Sequence, residues 1–433
     1  MNLLIMLKAN DWIKVYLIFI LAFTVQLLIS LFINNWNFAY PLDDPYIHLA
    51  IAKNFSEFGV WGPTQYEFAS SSSSIMFTLL LSFFFVIGLK TVLISLIINL
   101  LGAGLLFWIL NKIAILEDWR KSTYNIISIL ILIFAPTIAL VFSGMEHILH
   151  ISVSLLLVYY AADIISGKTG NKSTLLLTIF SFLAVSLRYE TLFLIFVIVI
   201  LFLIRRKFIP LLFISLGALI PITIFGLISL KNGSYFLPNT LLIKGISPEI
   251  TLSGILNQSI LWIERIFTYP HLLTCFLLLS FNIFSSPKEK RNLNNKWFVF
   301  SVIVIFSLIL HLTFARIGWF YRYEAYLAVL SIFSLAPYFN RKFKLELNLS
   351  DLLLKNKITI VILIILFIPL SYRFISSLYK ASLAPKNIYE QQIQTAEFIK
   401  TNNYKSVVLN DIGAVSYYND IKIIDLLGLA NKD

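Results

Sequence analysis

Cysteine occurs once, at Cys275 inside an apolar run, which rules out an internal disulfide and any cysteine-built metal cluster. Charge is scarce as well: 13% of the 433 residues are charged, against 59% hydrophobic. A water-soluble domain needs far more polar surface, so the soluble globular classes are excluded. Acidic residues are fewest, 22 against 34 basic, leaving a net charge of +12. Such an excess can signal nucleic acid, but here Lys and Arg form short clusters between apolar runs. They read as topology signals, and no nucleic-acid partner is expected. No internal repeat is visible, and no low-complexity stretch beyond the serines Ser70 to Ser74. No cleavable leader is expected either, because the first apolar segment is long enough to stay as an anchor.

What the sequence has in quantity is apolar and aromatic residues, with 38 Phe and 20 Tyr and a mean hydropathy of +0.86. These suit lipid-facing and interfacial positions, and they predict an all-α polytopic membrane protein. Apolar runs of spanning length lie near 13–33, 90–110, 123–143, 147–166, 172–187, 189–204, 208–230, 258–284, 297–315, 319–338 and 358–377. A shorter run, 75–89, follows the serines.

The basic clusters orient these runs. Arg205-Arg206-Lys207, the segment from Lys288 to Lys296 and the segment from Arg341 to Lys357 are expected on the cytoplasmic side, with Lys8, Lys14, Lys168 and Lys172. All agree with about eleven crossings, an inner N-terminus and an outer C-terminus; a twelfth crossing at 75–89 would break the parity. That segment is therefore expected to be re-entrant or interfacial. Under this topology Asp43, Asp44, Glu146, Arg188, Glu190, Asn239, Lys244, Arg316, Arg322, Glu324 and Asp411 all gather at the outer face, as one site requires.

Residues 1–377 make the transmembrane module, with an outer loop at 34–74 and another at 231–257. Residues 378–433 form an outer-face α/β tail: a helical pattern near 386–402, a strand from Ser406 to Leu409, a turn at Asp411-Ile412-Gly413-Ala414, and a strand from Ile421 to Asp425. The tail is too short for a substantial core of its own and should pack on the membrane module.

The first outer loop holds the densest chemistry. Asp43-Asp44-Pro45-Tyr46 opens a helix whose residues Ile47, Ile51, Phe55 and Phe58 share a face that can lie along the membrane. Asp44 suits the N-cap and Pro45 the first helical position. Capping accounts for one aspartate and leaves Asp43 without a local job. A carboxylate kept ionised at a helix start can take a proton from a hydroxyl. Arg188, Lys244, Arg316 and Arg322 are the cations available to a phosphate, since Arg grips phosphate oxygens with a fork and Lys with a point charge. Three of them also have a plain structural role available: Arg188 could pair with Glu190 or Glu146, Arg322 with Glu324, and Lys244 could simply be solvated. Glu146 begins a helix as a cap or as a second acid. His147 and His150 share a face beside it at a spacing that permits a metal, but no third ligand is fixed, so no cofactor is expected and a divalent metal is permitted but unsupported.

Asp43-Asp44-Pro45-Tyr46-Ile47, the surface helix, Gly59, Trp61 and the serine-rich re-entry resemble the first outer loop of the GT-C glycosyltransferase superfamily. Its members include protein O-mannosyltransferases, lipid A aminoarabinose transferases and terminal arabinofuranosyltransferases. Ser143-Gly144-Met145-Glu146, Arg188-Tyr189-Glu190, Leu237-Pro238-Asn239, Asp411-Ile412-Gly413-Ala414 and Asp425-Leu426-Leu427-Gly428-Leu429 are similar, in order, to recurring blocks of the last group. The resemblance implies a glycosyltransferase using a sugar on a polyprenyl phosphate or diphosphate, with inversion, at the outer face of a bacterial inner membrane. It implies a glycan, lipid or protein acceptor, and it makes Asp43 the base, with Asp44 beside it. Donor binding would fall to Arg188, Arg322, Lys244, Glu146, Glu190 and Asn239. Many relatives continue past the last block into a larger outer domain, whereas this sequence stops at Asp433, so acceptor recognition is the least covered part.

Two other readings compete. A transporter or flippase of lipid-linked sugars would place charges at the midplane on broken helices, often with internal repeats. An O-antigen ligase or polymerase carries its largest outer loop late in the chain.

Overall fold

The computed structural model describes residues 7–168, 170–244, 252–345 and 357–430. The fold is 72% helical, with a single two-stranded sheet among the described residues. Among the described residues, six helices are long and apolar enough to cross a membrane, or seven if the pair Ile260–Thr268 and Pro270–Phe284, bent by 93°, counts as one span. The architecture is consistent with a multi-pass membrane protein, but the expected eleven crossings are not found. The reason is local. The run 123–143 breaks at Pro136, which has no N–H to give, leaving helices Lys121–Phe134 and Thr137–Phe142 of 14 and 6 residues. The run 319–338 yields Ala325–Phe333 and Ala336–Leu345, of 9 and 10 residues. At about 1.5 Å per residue none of these crosses about 30 Å of hydrocarbon. Helix Ile75–Val86, at 12 residues, falls short as well.

Helices Ile94–Leu116 and His147–Ile165 form the centre of the bundle, each with 72% of its apolar window buried. They approach closely at Gly102, where a Cβ would come within 2.9 Å of Ile148 and Leu149. The first helix, Asp11–Ile33, is peripheral: Val15, Phe19, Phe23, Gln26 and Ser30 form an inward stripe at helical spacing, while Leu17, Leu21, Val25 and Phe32 face outward. At the end away from the paired aspartates, Lys296 binds Glu117 at 2.7 Å and Asp163 at 2.9 Å, tying three helix ends together.

The loop helix Asp44–Phe58 starts with Pro45 in its first turn and stops at Gly59, whose φ of +70° reverses the chain. Its apolar face divides. Ile47 and Ile51 are buried under the C-terminal tail with Trp61 and Phe225, whereas Phe55 and Phe58 stay exposed at 38% and 49%. Half the face expected to meet lipid is thus spent on the tail. The serine run is knitted into its surroundings by side-chain hydrogen bonds. Ser70 bonds Asn239, Ser72 bonds the carbonyl of Ser74, Ser73 reaches His48 and Glu146, and Ser74 caps helix Ile75–Val86.

The tail grows directly from the long helix Lys357–Ile388, through a π-helical turn at Tyr389–Ile393 into helix Gln394–Thr401. Strands β1 (Ser406–Leu409) and β2 (Lys422–Asp425) pair in parallel, Ser406 opposite Lys422, joined through the short helix Gly413–Tyr418. Ala396, Ile399, Ile412, Val415, Ile421 and Ile423 pack against Ile47 and Ile51. Lys53 and Asp420 pair at 2.8 Å across the same junction. The Asp425 carboxylate accepts N–H groups from Leu427, Leu429 and Ala430, which closes the Asp-Leu-Leu-Gly-Leu turn. A tail with so small a core is held by borrowing that of the loop helix.

Candidate functional site

A cavity of about 240 Å³ opens where the loop helix, the serine run and the bundle meet. Its polar lining includes Asp44, Ser73, Arg188, Glu190, Arg316 and Arg322. The apolar lining is Met145, Leu192, Phe193, Leu241 and Phe314. Each charged side chain sits at a helix end or in a connection. Arg188 directly follows helix Asn171–Leu187, and Glu190 directly precedes helix Thr191–Ile204. Arg316, Arg322 and Tyr323 come from the segment between helices Lys296–Phe314 and Ala325–Phe333.

Arg188 is 6% exposed and holds two carboxylates. Its Nη1 donates to Glu146 at 2.8 Å, its Nε to Glu190 at 3.0 Å, and its Nη2 to the second oxygen of Glu190. Burial pushes the Glu190 carboxyl up, but the Arg188 charge outweighs it and holds the group down at about 2. Arg322, 2% exposed, donates to the Asp44 carboxylate and to the Met145 sulfur. The ring of Tyr323 lies 5.4 Å from the Arg188 guanidinium and 5.1 Å from that of Arg322. Two buried cations therefore flank one aromatic ring on the cavity wall, each carrying a carboxylate counter-ion.

Behind the wall, Glu146 is fully buried and accepts Arg188 and Ser73, with His48 Nε2 3.6 Å away. Burial lowers the pKa of His48, against the pull of Glu146. Asn239 braces the outer loops and does not line the cavity. It accepts Ser70 at 3.1 Å and donates to the Leu429 carbonyl at 3.1 Å, leaving its neighbours Thr240 and Leu241 on the wall. Lys244 ends helix Asn239–Lys244, and its side chain lies outside the described residues. His150 bonds Thr191 at 2.8 Å, and no group of three metal-ligating side chains occurs among the described residues.

The two aspartates diverge. Asp44 is the first residue of its helix and not its cap, and its carboxylate turns into the cavity toward Arg322. Asp43 turns the other way and is not on the cavity wall. Its oxygens accept the N–H of Gly413 at 2.5 Å and of Ala414 at 2.8 Å, so it caps the tail's short helix. Burial raises the Asp43 carboxyl to about 7, against the pull of those two donors, with Asp44 and Asp411 adding like charge. Asp411 is exposed and bonds Gln392 at 3.3 Å.

Among comparisons with known proteins, a family described as a domain of unknown function (DUF8728) matches residues 386–433, which is the tail and the turn of helix leading into it. No curated protein and no solved structure matches the chain.

The cavity brings together Asp44, Arg188, Glu190, Arg316 and Arg322 from the residues expected at the site; Glu146 stands directly behind, while Asp43 and Asn239 organise the loops around it. Ser73, Tyr323 and Met145 were not singled out from the sequence. Ser73 was hidden in a run of identical residues, whereas Tyr323 and Met145 stood beside Arg322 and Glu146. Chemically, the arrangement offers two forked cations for an anion, apolar walls for a hydrocarbon stem, and a carboxylate for a hydroxyl proton.

Proposed function

We propose that the protein is an integral membrane glycosyltransferase that moves a sugar from a polyprenyl-phosphate carrier to a cell-envelope acceptor. The reaction is inverting and takes place at the outer face of a bacterial inner membrane. The observation that carries this reading is the cavity itself, where Asp44 stands beside buried Arg188 and Arg322 under walls of Leu192, Phe193 and Phe314. An anionic headgroup on an apolar stem matches both halves of that lining. The charged groups sit at helix ends and not at mid-helix, which favours an enzyme over a transporter.

Of the adjacent pair, Asp44 has the position of a base, although the resemblance selects Asp43. An entering phosphate competes for Arg322 and draws it from Asp44, whose carboxylate gains basicity as its partner leaves. Asp44 then takes the proton from the acceptor hydroxyl. The hydroxyl oxygen bonds to the anomeric carbon from the face opposite the phosphate, and the bond to the phosphate oxygen breaks with its electron pair. Arg188 and Arg322 stabilise the charge that collects on the departing phosphate. Asp44 gives its proton to water, and no metal is needed for the balance.

The test adds purified protein to membranes with polyprenyl-phosphate sugars carrying a label. Label should pass to an envelope acceptor with wild-type protein and not with Asp44→Asn. Transfer by neither protein, across pentose and hexose donors, would overturn the assignment.

A further inference from the structure

The segment from Ala315 to Glu324, which carries Arg316, Arg322 and Tyr323 into the cavity, has an unusual backbone. Gly318, Trp319, Phe320 and Tyr321 follow one another at φ of +82°, +32°, +58° and +63°. Three bulky residues in succession in the left-handed region cost free energy, and such a shape persists only when its surroundings hold it.

The holding groups come from three directions and none lines the cavity. Glu324, whose side chain is fully buried, accepts the Gly318 N–H at 3.0 Å. Its other oxygen takes Arg373 Nη2 at 2.9 Å and His271 Nε2 at 3.0 Å. Arg373, from the long helix Lys357–Ile388, also donates to the Tyr321 carbonyl at 2.5 Å. One turn on, Ser376 bonds the Tyr321 hydroxyl at 2.5 Å. His271 comes from helix Pro270–Phe284, on the far side of the 93° bend. The bonds therefore grip both ends of the left-handed run, at Gly318 and at Tyr321, and Arg322 is the next residue.

We infer that Glu324, Arg373 and His271 form a clasp that sets the shape of this segment, and through it the placement of Arg322 for an anionic phosphate headgroup. This rests on the proposed donor class. The three are positioning residues: Glu324 and Arg373 neutralise one another outside the cavity, so their own charges add nothing to the headgroup.

The test is a double-mutant cycle on the binding of a polyprenyl monophosphate, without sugar, to the full-length protein in lipid nanodiscs. Misplacing a binding group by about 1 Å can cost on the order of a hundredfold, so Glu324→Gln should weaken binding by roughly ten- to a hundredfold. Arg322→Ala should weaken it comparably. The decisive reading is the double variant. If Glu324 acts through Arg322, adding Glu324→Gln to Arg322→Ala should change affinity about twofold or less, since the group being placed is already gone. A purely stabilising role predicts that the two losses multiply, and that result overturns the clasp, as does wild-type affinity in Glu324→Gln. Should Glu324→Gln fail to fold, His271→Leu removes one bond, leaves the Arg373 pair, and is read in the same cycle. If the wild-type protein does not bind the monophosphate at all, the donor assignment fails and the clasp with it; loss in Arg322→Ala alone leaves that assignment standing and removes only the clasp.

Discussion

Gly413→Ala should release the C-terminal tail without disturbing the bundle. Gly413 has no left-handed φ, so the requirement is for space and not for conformation. A Cβ there would lie 2.3 Å from the Asp43 carbonyl oxygen and 2.7 Å from its Oδ2, and the nearer of these is backbone that cannot swing aside. Opening the junction breaks the bonds from Gly413 and Ala414 to the Asp43 carboxylate. Burial favours the neutral form of this carboxyl, and hydrogen bonds to a neutral group contribute about 0.5–1.5 kcal/mol each, so the loss is about 1–3 kcal/mol. At about 1.4 kcal/mol per decade this shifts docking roughly five- to a hundredfold. Hydrogen exchange read by mass spectrometry in detergent should show residues 406–425 exchanging far faster, with the helix His147–Ile165 unchanged. Unaltered protection of the tail would refute the steric argument. Equal loss of protection in tail and bundle would refute the idea that the tail docks as a separable unit.

Asp44→Asn should cut turnover on the order of a hundred- to ten-thousand-fold, the usual loss for a missing general base. Asp43→Asn should act on tail docking, and if it abolishes transfer while the tail stays protected, the base is Asp43. Docking should also depend on pH: Asp43 is raised to about 7 when docked, against about 3.9 for a free carboxyl, so docking is strongest below about pH 4 and weakens as pH rises to about 7. Exchange of the tail, corrected for intrinsic rate, should be faster at pH 8 than at pH 5, and Asp43→Asn should abolish the difference; slower exchange at pH 8 would reverse the assignment. A cysteine at Asn232 should react with an impermeant thiol reagent in intact cells while one at Asn292 does not, with buried Cys275 silent as background; labelling at both would remove the one-faced site.

Much of the tail was legible because β-branched runs bounded by turn residues fix short strands: β1 falls on Ser406–Leu409 as read, and β2 begins one residue later than expected. The gathering of Asp44, Arg188, Glu190 and Arg322 could be anticipated, since charged residues at the ends of apolar runs have few places to go. Their partners could not. Glu324 is two residues from Arg322 in sequence, yet Arg322 pairs with Asp44 and Glu324 with Arg373, choices set by backbone direction across the left-handed segment. Arg373 read as one more charge in an apolar run. Hydropathy averages over breaks, so the division at Pro136 and the 93° bend before Pro270 were invisible and the crossings were overcounted.

The long helix that ends in the tail behaves as a ruler. Its 32 residues from Lys357 to Ile388 rise about 48 Å at ~1.5 Å each, more than a bilayer's ~30 Å of hydrocarbon, and the helical path continues to Thr401. Height and phase are therefore coupled along one rod. Adding a single residue between Arg373 and Ile388 would lift everything beyond it by ~1.5 Å and turn it by about 100°, carrying Gly413 off Asp43. The π-helical turn at Tyr389–Ile393 winds wider than the α-helix on either side, a local change of gauge between the long helix and the small domain it carries. Evolution can thus reset the distance between lipid surface and docked tail by editing this turn, leaving every cavity residue in place.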